Sequence, residues 1–182
     1  MIAWPVARVG EALEALARRS GMNAQTSEIP QLPSHIDQDD AKLVGQWIES
    51  AALCLGYEAE PEEIRYAQAG RRIQSAAPAL LLCSGGGLLA LVDPDTVIAP
   101  DRSLRRVGRE AIRAELCRDA EAPLRTSMDA LLETSGIPRR RRERVRAELM
   151  GKRLAAVHVA YCWKLRMQPG ASFWLPTSLG LP

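Results

Sequence analysis

Apolar residues recur at helical spacing between Ala7 and Met22. Val9, Leu13, Leu16 and Ala17 fall on one stripe, with Glu11, Glu14, Arg18 and Arg19 on the opposite face. Gly21 stands where such a helix should end. A second helical period starts at Asp39 or Asp40, either of which can cap it. It runs through Leu43, Val44, Trp47, Ile48, Ala51 and Leu55 to a terminating Gly56. Cys54 lies late in this helix beside the stripe, which predicts burial. Between the two helices, residues 23–38 hold two prolines and many polar side chains and read as a long loop, with His35 as a solvated side chain within it. Ahead of everything, Trp4-Pro5 should fix how the chain enters the first helix.

After Gly56 the pattern changes. The acidic stretch Glu58–Glu63, broken by Pro61, and the I-R-Y and A-G-R-R that follow fit a strand and a short helix without deciding between them. Pro78–Cys83, the turn Ser84–Gly87 and Leu88–Val92 read as a hairpin of two buried strands. Asp93-Pro94-Asp95 is a turn, and Thr96–Ala99 a third strand. Three consecutive strands after two helices predict an α+β fold with an antiparallel sheet. The triple glycine is not a phosphate loop, because apolar strand residues follow it where Lys-Ser/Thr and a helix would be needed.

From Arg102 the chain becomes basic. Leu104, Val107, Ile112 and Leu116 predict an amphipathic helix, with Cys117 in or beside the core. Pro123 is expected to start another, carrying Met128, Leu131 and Leu132 and ending at Gly136. Ile137-Pro138 opens a further helix that begins Arg139-Arg140-Arg141-Arg142. Residues 157–166 alternate as a strand, with Val157, Val159, Tyr161, Trp163 and Leu165 on one face. His158 and Cys162 fall together on the other face, so a thiol and a base could meet there, but no third catalytic group is evident. The tail beyond carries Phe173 and Trp174.

Composition narrows the classes. The chain has 182 residues, of which 47% are hydrophobic and 25% charged, so it can bury a core. No apolar run reaches the ~18–20 residues of a membrane span, and the start lacks a secretory signal's basic and apolar regions. The four cysteines (Cys54, Cys83, Cys117, Cys162) are scattered and the only histidines are His35 and His158, which argues against a zinc site and for free thiols. Residues 1–100 carry 7 Lys+Arg against 13 Asp+Glu, whereas residues 101–182 carry 17 against 9. That split predicts a basic surface for an anionic partner, at Arg139, Arg140, Arg141 and Arg142. Glu143 and Glu148 interrupt it and base-reading side chains are missing, so a membrane surface or a protein is expected before a nucleic acid.

The order of elements adds a resemblance. A helix entered through Gly10, a second helix ending C-L-G-Y, then strands with Pro78-Ala79-Leu80 before the hairpin, resembles the N-terminal peptidase domain of bacteriocin-exporting ABC transporters, a papain-like cysteine peptidase. The likeness covers roughly Trp4 to Asp101. In that family a Gln precedes an Asp-Cys-Gly, a His opens the second hairpin strand and an Asp-Pro orients it. Here the Gln position falls on Ala3, the Asp-Cys-Gly on Arg8-Val9-Gly10 and the His on Gly86 or Gly87. The Asp-Pro falls on Asp93-Pro94 or near Pro100-Asp101.

The resemblance therefore implies a degenerate, non-cleaving relative, like the peptidase-like domain of haemolysin-type exporters. On this reading residues 1–101 form papain-like helices packed on an antiparallel sheet, and residues 102–182 a basic helical extension ending in a strand that leads toward a membrane region. The expected role is recognition of an exported peptide or its leader, on the cytoplasmic side of the inner membrane, beside an exporter's transmembrane and nucleotide-binding parts. No catalytic residue, cofactor or metal is expected, and the candidate binding residues are Val9, Gly10, Leu13, Trp47, Gly87 and Leu88. The rival expectation is a stand-alone interaction protein that docks through its basic half.

Overall fold

A computed structural model describes residues 2–21, 31–34, 36–37 and 40–167. Strand β1 (Trp4–Pro5) leads through a 3-10 turn at Val6–Arg8 into α1 (Val9–Arg19), and α2 spans Ala41–Cys54. Asp40 caps α2 by accepting from the Lys42 and Leu43 amides at 3.0 and 3.1 Å. The chain turns after α1 and α2 at Gly21 and Gly56, which hold φ of +69° and +82°. Next come β2 (Tyr57–Arg65), α3 (Ala69–Ala76), β3 (Ala79–Cys83), β4 (Gly87–Asp93), β5 (Thr96–Ile98) and β6 (Leu104–Arg106). The acidic stretch is thus the strand β2, and the short helix follows it. Two long helices, α4 (Arg109–Thr134) and α5 (Arg139–Leu154), precede β7 (His158–Met167).

All pairings are antiparallel, in the order β2-β7-β3-β4-β5-β6, with β1 added beside the start of β4. The fold is α+β, as the hydrophobic pattern predicts. One sheet face carries Leu80, Leu82, Leu88, Ala90, Trp163 and Leu165 against α1 and α2. The other carries Leu81, Leu89, Leu91, Ala160 and Cys162 against α3, α4 and α5. β3 is buried on both faces, which is why Ala79–Cys83 shows no polar alternation.

β7 lies between β2 and β3, so the last strand belongs to the same sheet as the strands of residues 57–98. A boundary after Asp101 does not separate two cores. The turn between α4 and α5, residues 133–141, is exposed apart from the half-buried Ile137.

Several sequence expectations are corrected. Leu104–Arg106 is an edge strand, not the start of a helix, and Leu104 is exposed. Val107 is half-buried in the connection to α4. Pro123 lies inside α4 rather than opening a new helix, because the helix is continuous across it. Pro138 precedes α5 as its N-cap. Leu43 and Cys54 are exposed, since the buried face of α2 is rotated onto Val44, Gly45, Ile48, Ala51 and Ala52. Val157 precedes β7 and is exposed. His35, Asp39, Phe173 and Trp174 lie outside the described residues.

Candidate functional site

The positions singled out by the resemblance lie about the corner where β1 pairs with β4, but on both faces of the sheet, Val9 on the α1–α2 side and Ala3 on the α3–α5 side. β1 pairs with β4 so that Trp4 faces Leu88 and Pro5 faces Gly87. A Cβ built on Gly87 would sit 3.3 Å from the Ala3 Cβ. Val9, the first residue of α1, is buried in one cluster with Trp4, Leu13 and Leu88.

Arg8 ties the corner together. Its guanidinium donates twice to Glu11, both at 2.7 Å, and once to the Pro100 carbonyl at 3.2 Å. It also lies 4.9 Å from the Trp4 ring centroid. The Trp4 indole N–H donates to the Ile98 carbonyl at 2.7 Å. The bonds from Arg8 hold the Glu11 carboxyl below the usual carboxylate range. Asp101 points away, bonded to Ser103 and Arg105, and Asp93 is exposed at the β4 end.

This corner has no group able to attack a carbonyl or move a proton from the matched positions Ala3, Val9 and Gly87. Nor is it an open cleft: Val9, Leu13 and Leu88 have no exposed surface. Trp47 is half-buried against the same cluster, while Gly10 and Gly87 keep partial exposure. Four of the six expected binding residues, Val9, Leu13, Trp47 and Leu88, belong to one cluster, with its centre filled by their own side chains, while Gly87 faces Ala3.

The three buried thiols, Cys83, Cys117 and Cys162, are held protonated at neutral pH. Burial, with nearby carboxylates, pushes Cys83 and Cys162 up to about 12, and burial raises Cys117 to about 11. The expectation that His158 and Cys162 share a face is also corrected. β7 carries an irregularity opposite Ile64 and Arg65, which pair with Ala160 and His158 and leave Val159 as the extra residue. The bulge turns His158 onto the side of Tyr161, with ring centroids 4.2 Å apart, while Cys162 is buried against the opposite helices.

That turn places His158 in a cavity of about 300 Å³ at the end of the sheet, lined also by Ala41, Leu82, Cys83, Ser84, Gly86 and Tyr161. The Ser84 amide and hydroxyl both donate to the Val159 carbonyl, at 3.1 and 3.0 Å. The Gly86 amide donates to the Cys83 carbonyl at 3.0 Å. The His158 Nε2 is shielded from water and has no hydrogen-bond partner among the described residues. A single sequence gives no signal for this cavity, because it depends on a bulge and on residues from three separate segments.

The predicted basic run is split by its surroundings. Arg142 turns back along the hairpin to the Ile137 carbonyl at 2.9 Å and to Glu133 at 3.8 Å. Arg146 pairs with Asp129 at 2.5 Å. Arg139, Arg140 and Arg141 are exposed and without ion pairs among the described residues. Among the described residues no group of three or more His, Cys, Asp and Glu could hold a metal ion. No helix there is long and apolar enough to cross a membrane. Compared with known proteins, the chain matches no protein family, no curated protein and no solved structure.

Proposed function

We propose that this is a non-catalytic peptide-recognition domain of an ABC-type exporter, acting on the cytoplasmic side of the membrane. The observation that supports this reading is the residues at the matching positions: Ala3 meets Gly87 where β1 joins β4, and Val9 opens α1, buried on the other face of the sheet. A papain-like exporter peptidase keeps its glutamine, cysteine and histidine at the matching positions. Acyl transfer needs a nucleophile and a base within hydrogen-bond reach, and an oxyanion donor beside them. Alanine, valine and glycine supply none of these through their side chains, so cargo would be held without being cut.

The test uses the purified protein and a fluorescein-labelled leader peptide from a precursor encoded beside its gene. The expected result is a saturable rise in anisotropy, with mass spectrometry showing the peptide intact after overnight incubation. Absence of saturable binding, or cleavage of the peptide, overturns the reading.

A second reading, docking on an anionic membrane surface, is favoured by the unpaired Arg139, Arg140 and Arg141 at the turn end of the α4–α5 hairpin. Each basic side chain near an anionic bilayer contributes about 1 kcal/mol. Sedimentation with phosphatidylglycerol vesicles at 50 mM salt, lost at 300 mM and lost on changing all three arginines to glutamate, is its expected outcome. Equal sedimentation with phosphatidylcholine vesicles removes it.

A further inference from the structure

We propose that the turn end of the α4–α5 hairpin docks into the acidic groove beside β2 on a second copy of this chain. The inference goes beyond peptide recognition. It rests on two surfaces of opposite charge that no ion pair joins within one copy among the described residues.

The first surface is built against its own local physics. Arg139, Arg140 and Arg141 are exposed in the first turn of α5, where the helix end already carries partial positive charge. That turn holds no acidic residue, and Pro138 caps it without a side-chain hydrogen bond. Arg142 is met within the hairpin by Glu133, but the three arginines before it have no ion pair among the described residues. They repel one another and the helix end, and an anionic partner relieves both. Leu131, in the last turn of α4, adds an exposed apolar side chain near the same end.

The second surface is a groove of about 490 Å³, lined by Glu49 and Leu53 from α2, Glu58, Ala59 and Glu60 from β2, and Arg166 from β7. Arg166 is taken up by Glu60 at 3.1 Å. Among the described residues Glu58 has no ion pair, and Glu49 accepts only the Trp163 indole N–H, at 3.3 Å. Leu53 is exposed. β2 is the outermost strand, so the groove is open from the side. Pro61 interrupts that edge, which disfavours an added strand and leaves docking by side chains.

The two surfaces complement each other. Guanidinium groups beside Leu131 meet carboxylates beside Leu53. The groove's unpaired glutamates come from the acidic residues 1–100 and the hairpin end from the basic residues 101–182. A metal ion is the wrong occupant, because among the described residues these carboxylates form no ligand set. A hairpin end in a groove buries less than the roughly 1,200–2,000 Å² of a stable interface, so the association is weak and driven by charge. Each copy offers one of each surface, which makes the contact heterologous.

Sedimentation velocity on the full chain tests this. At about 50 mM salt the average mass should rise with protein concentration, and at about 300 mM it should stay at the monomer value. Two exposed charge reversals break the contact from either side: Arg139→Glu with Arg140→Glu and Arg141→Glu, and Glu58→Arg with Glu60→Arg. Each variant alone should remain monomeric while keeping the amide spectrum of the fold. Their equimolar mixture should form a 1:1 dimer and nothing larger, because the first keeps its groove and the second its hairpin end. An unaltered chain that stays monomeric at low salt overturns the proposal. So does a mixture that stays monomeric, or a folded variant that associates like the unaltered chain. If the three arginines bind phosphatidylglycerol vesicles and the chain does not self-associate, the membrane reading holds and this one falls.

Discussion

Gly45 shows how far a single residue can depart from its sequence-level reading. In the middle of α2 a glycine weakens the helix, and replacement by alanine should gain about 1 kcal/mol on propensity alone. Here an added Cβ would lie 2.7 Å from the Trp163 ring, a rigid indole held between α2 and the sheet. Overpacking of that kind costs about 1–3 kcal/mol, so Gly45→Ala is expected to lower the urea midpoint. Adding Trp163→Phe, which removes the contacted ring atom, should recover most of the loss. The buried thiols make a second prediction at this scale. Cys83, Cys117 and Cys162 rise from an ordinary 9.0 to about 12, 11 and 12. The unfolded chain releases those protons first, so their contribution is intact below about pH 9 and falls as pH rises from there toward 11–12. Urea midpoints at pH 8 and 9.5 should show the drop, and Cys83→Ala with Cys162→Ala should flatten it. Iodoacetamide at pH 7.5 should mark Cys54 alone in the native protein. The burial of Cys54 was misread from the sequence because the apolar stripe of α2 is broad, and the sheet picks out the side that carries Gly45 and Ala52.

At the scale of elements, periodicity was legible wherever one face of a helix or both faces of a strand are buried. That covers α1, the β3–β4 hairpin and β5. It failed where a tertiary partner overrode the local signal. Leu104–Arg106 has a helix-compatible pattern, yet it pairs with β5 because the turn at Ala99–Ser103 brings it back alongside. Pro123 reads as a helix start, but α4 runs through it, exposed on the outer side. An interior proline removes one hydrogen bond and crowds the preceding turn, a cost near 3 kcal/mol in an isolated helix. Pro123→Ala should therefore raise the unfolding free energy by about 1–2 kcal/mol, read from urea denaturation, once packing dilutes the effect. A loss of stability instead would mean that Pro123 fits a bend the core requires. The candidate site was legible only in part. His158 drew notice from the sequence, but its partners did not, since a one-residue bulge reverses the face it serves.

For the whole molecule, the decisive feature is the place of β7. It pairs with β2 along its full length and with β3 on its other edge, although about 75 residues separate it from β3 in sequence. The fragment 1–101 should accordingly fail to give a dispersed amide spectrum, whereas the fragment 1–167 should give one. A folded 1–101 would mean that β2 and β3 can close on each other without it. In synthesis, the same arrangement sets an order of events. While the ribosome is still making α4 and α5, β2 and β3 have each other's missing neighbour to wait for, and Leu80, Leu81 and Leu82 have a strand edge open to any passing chain. Closure of the sheet waits for β7, the strand that pairs with both. Until then, the glutamates of β2 are the feature that deters stray pairing at the far edge.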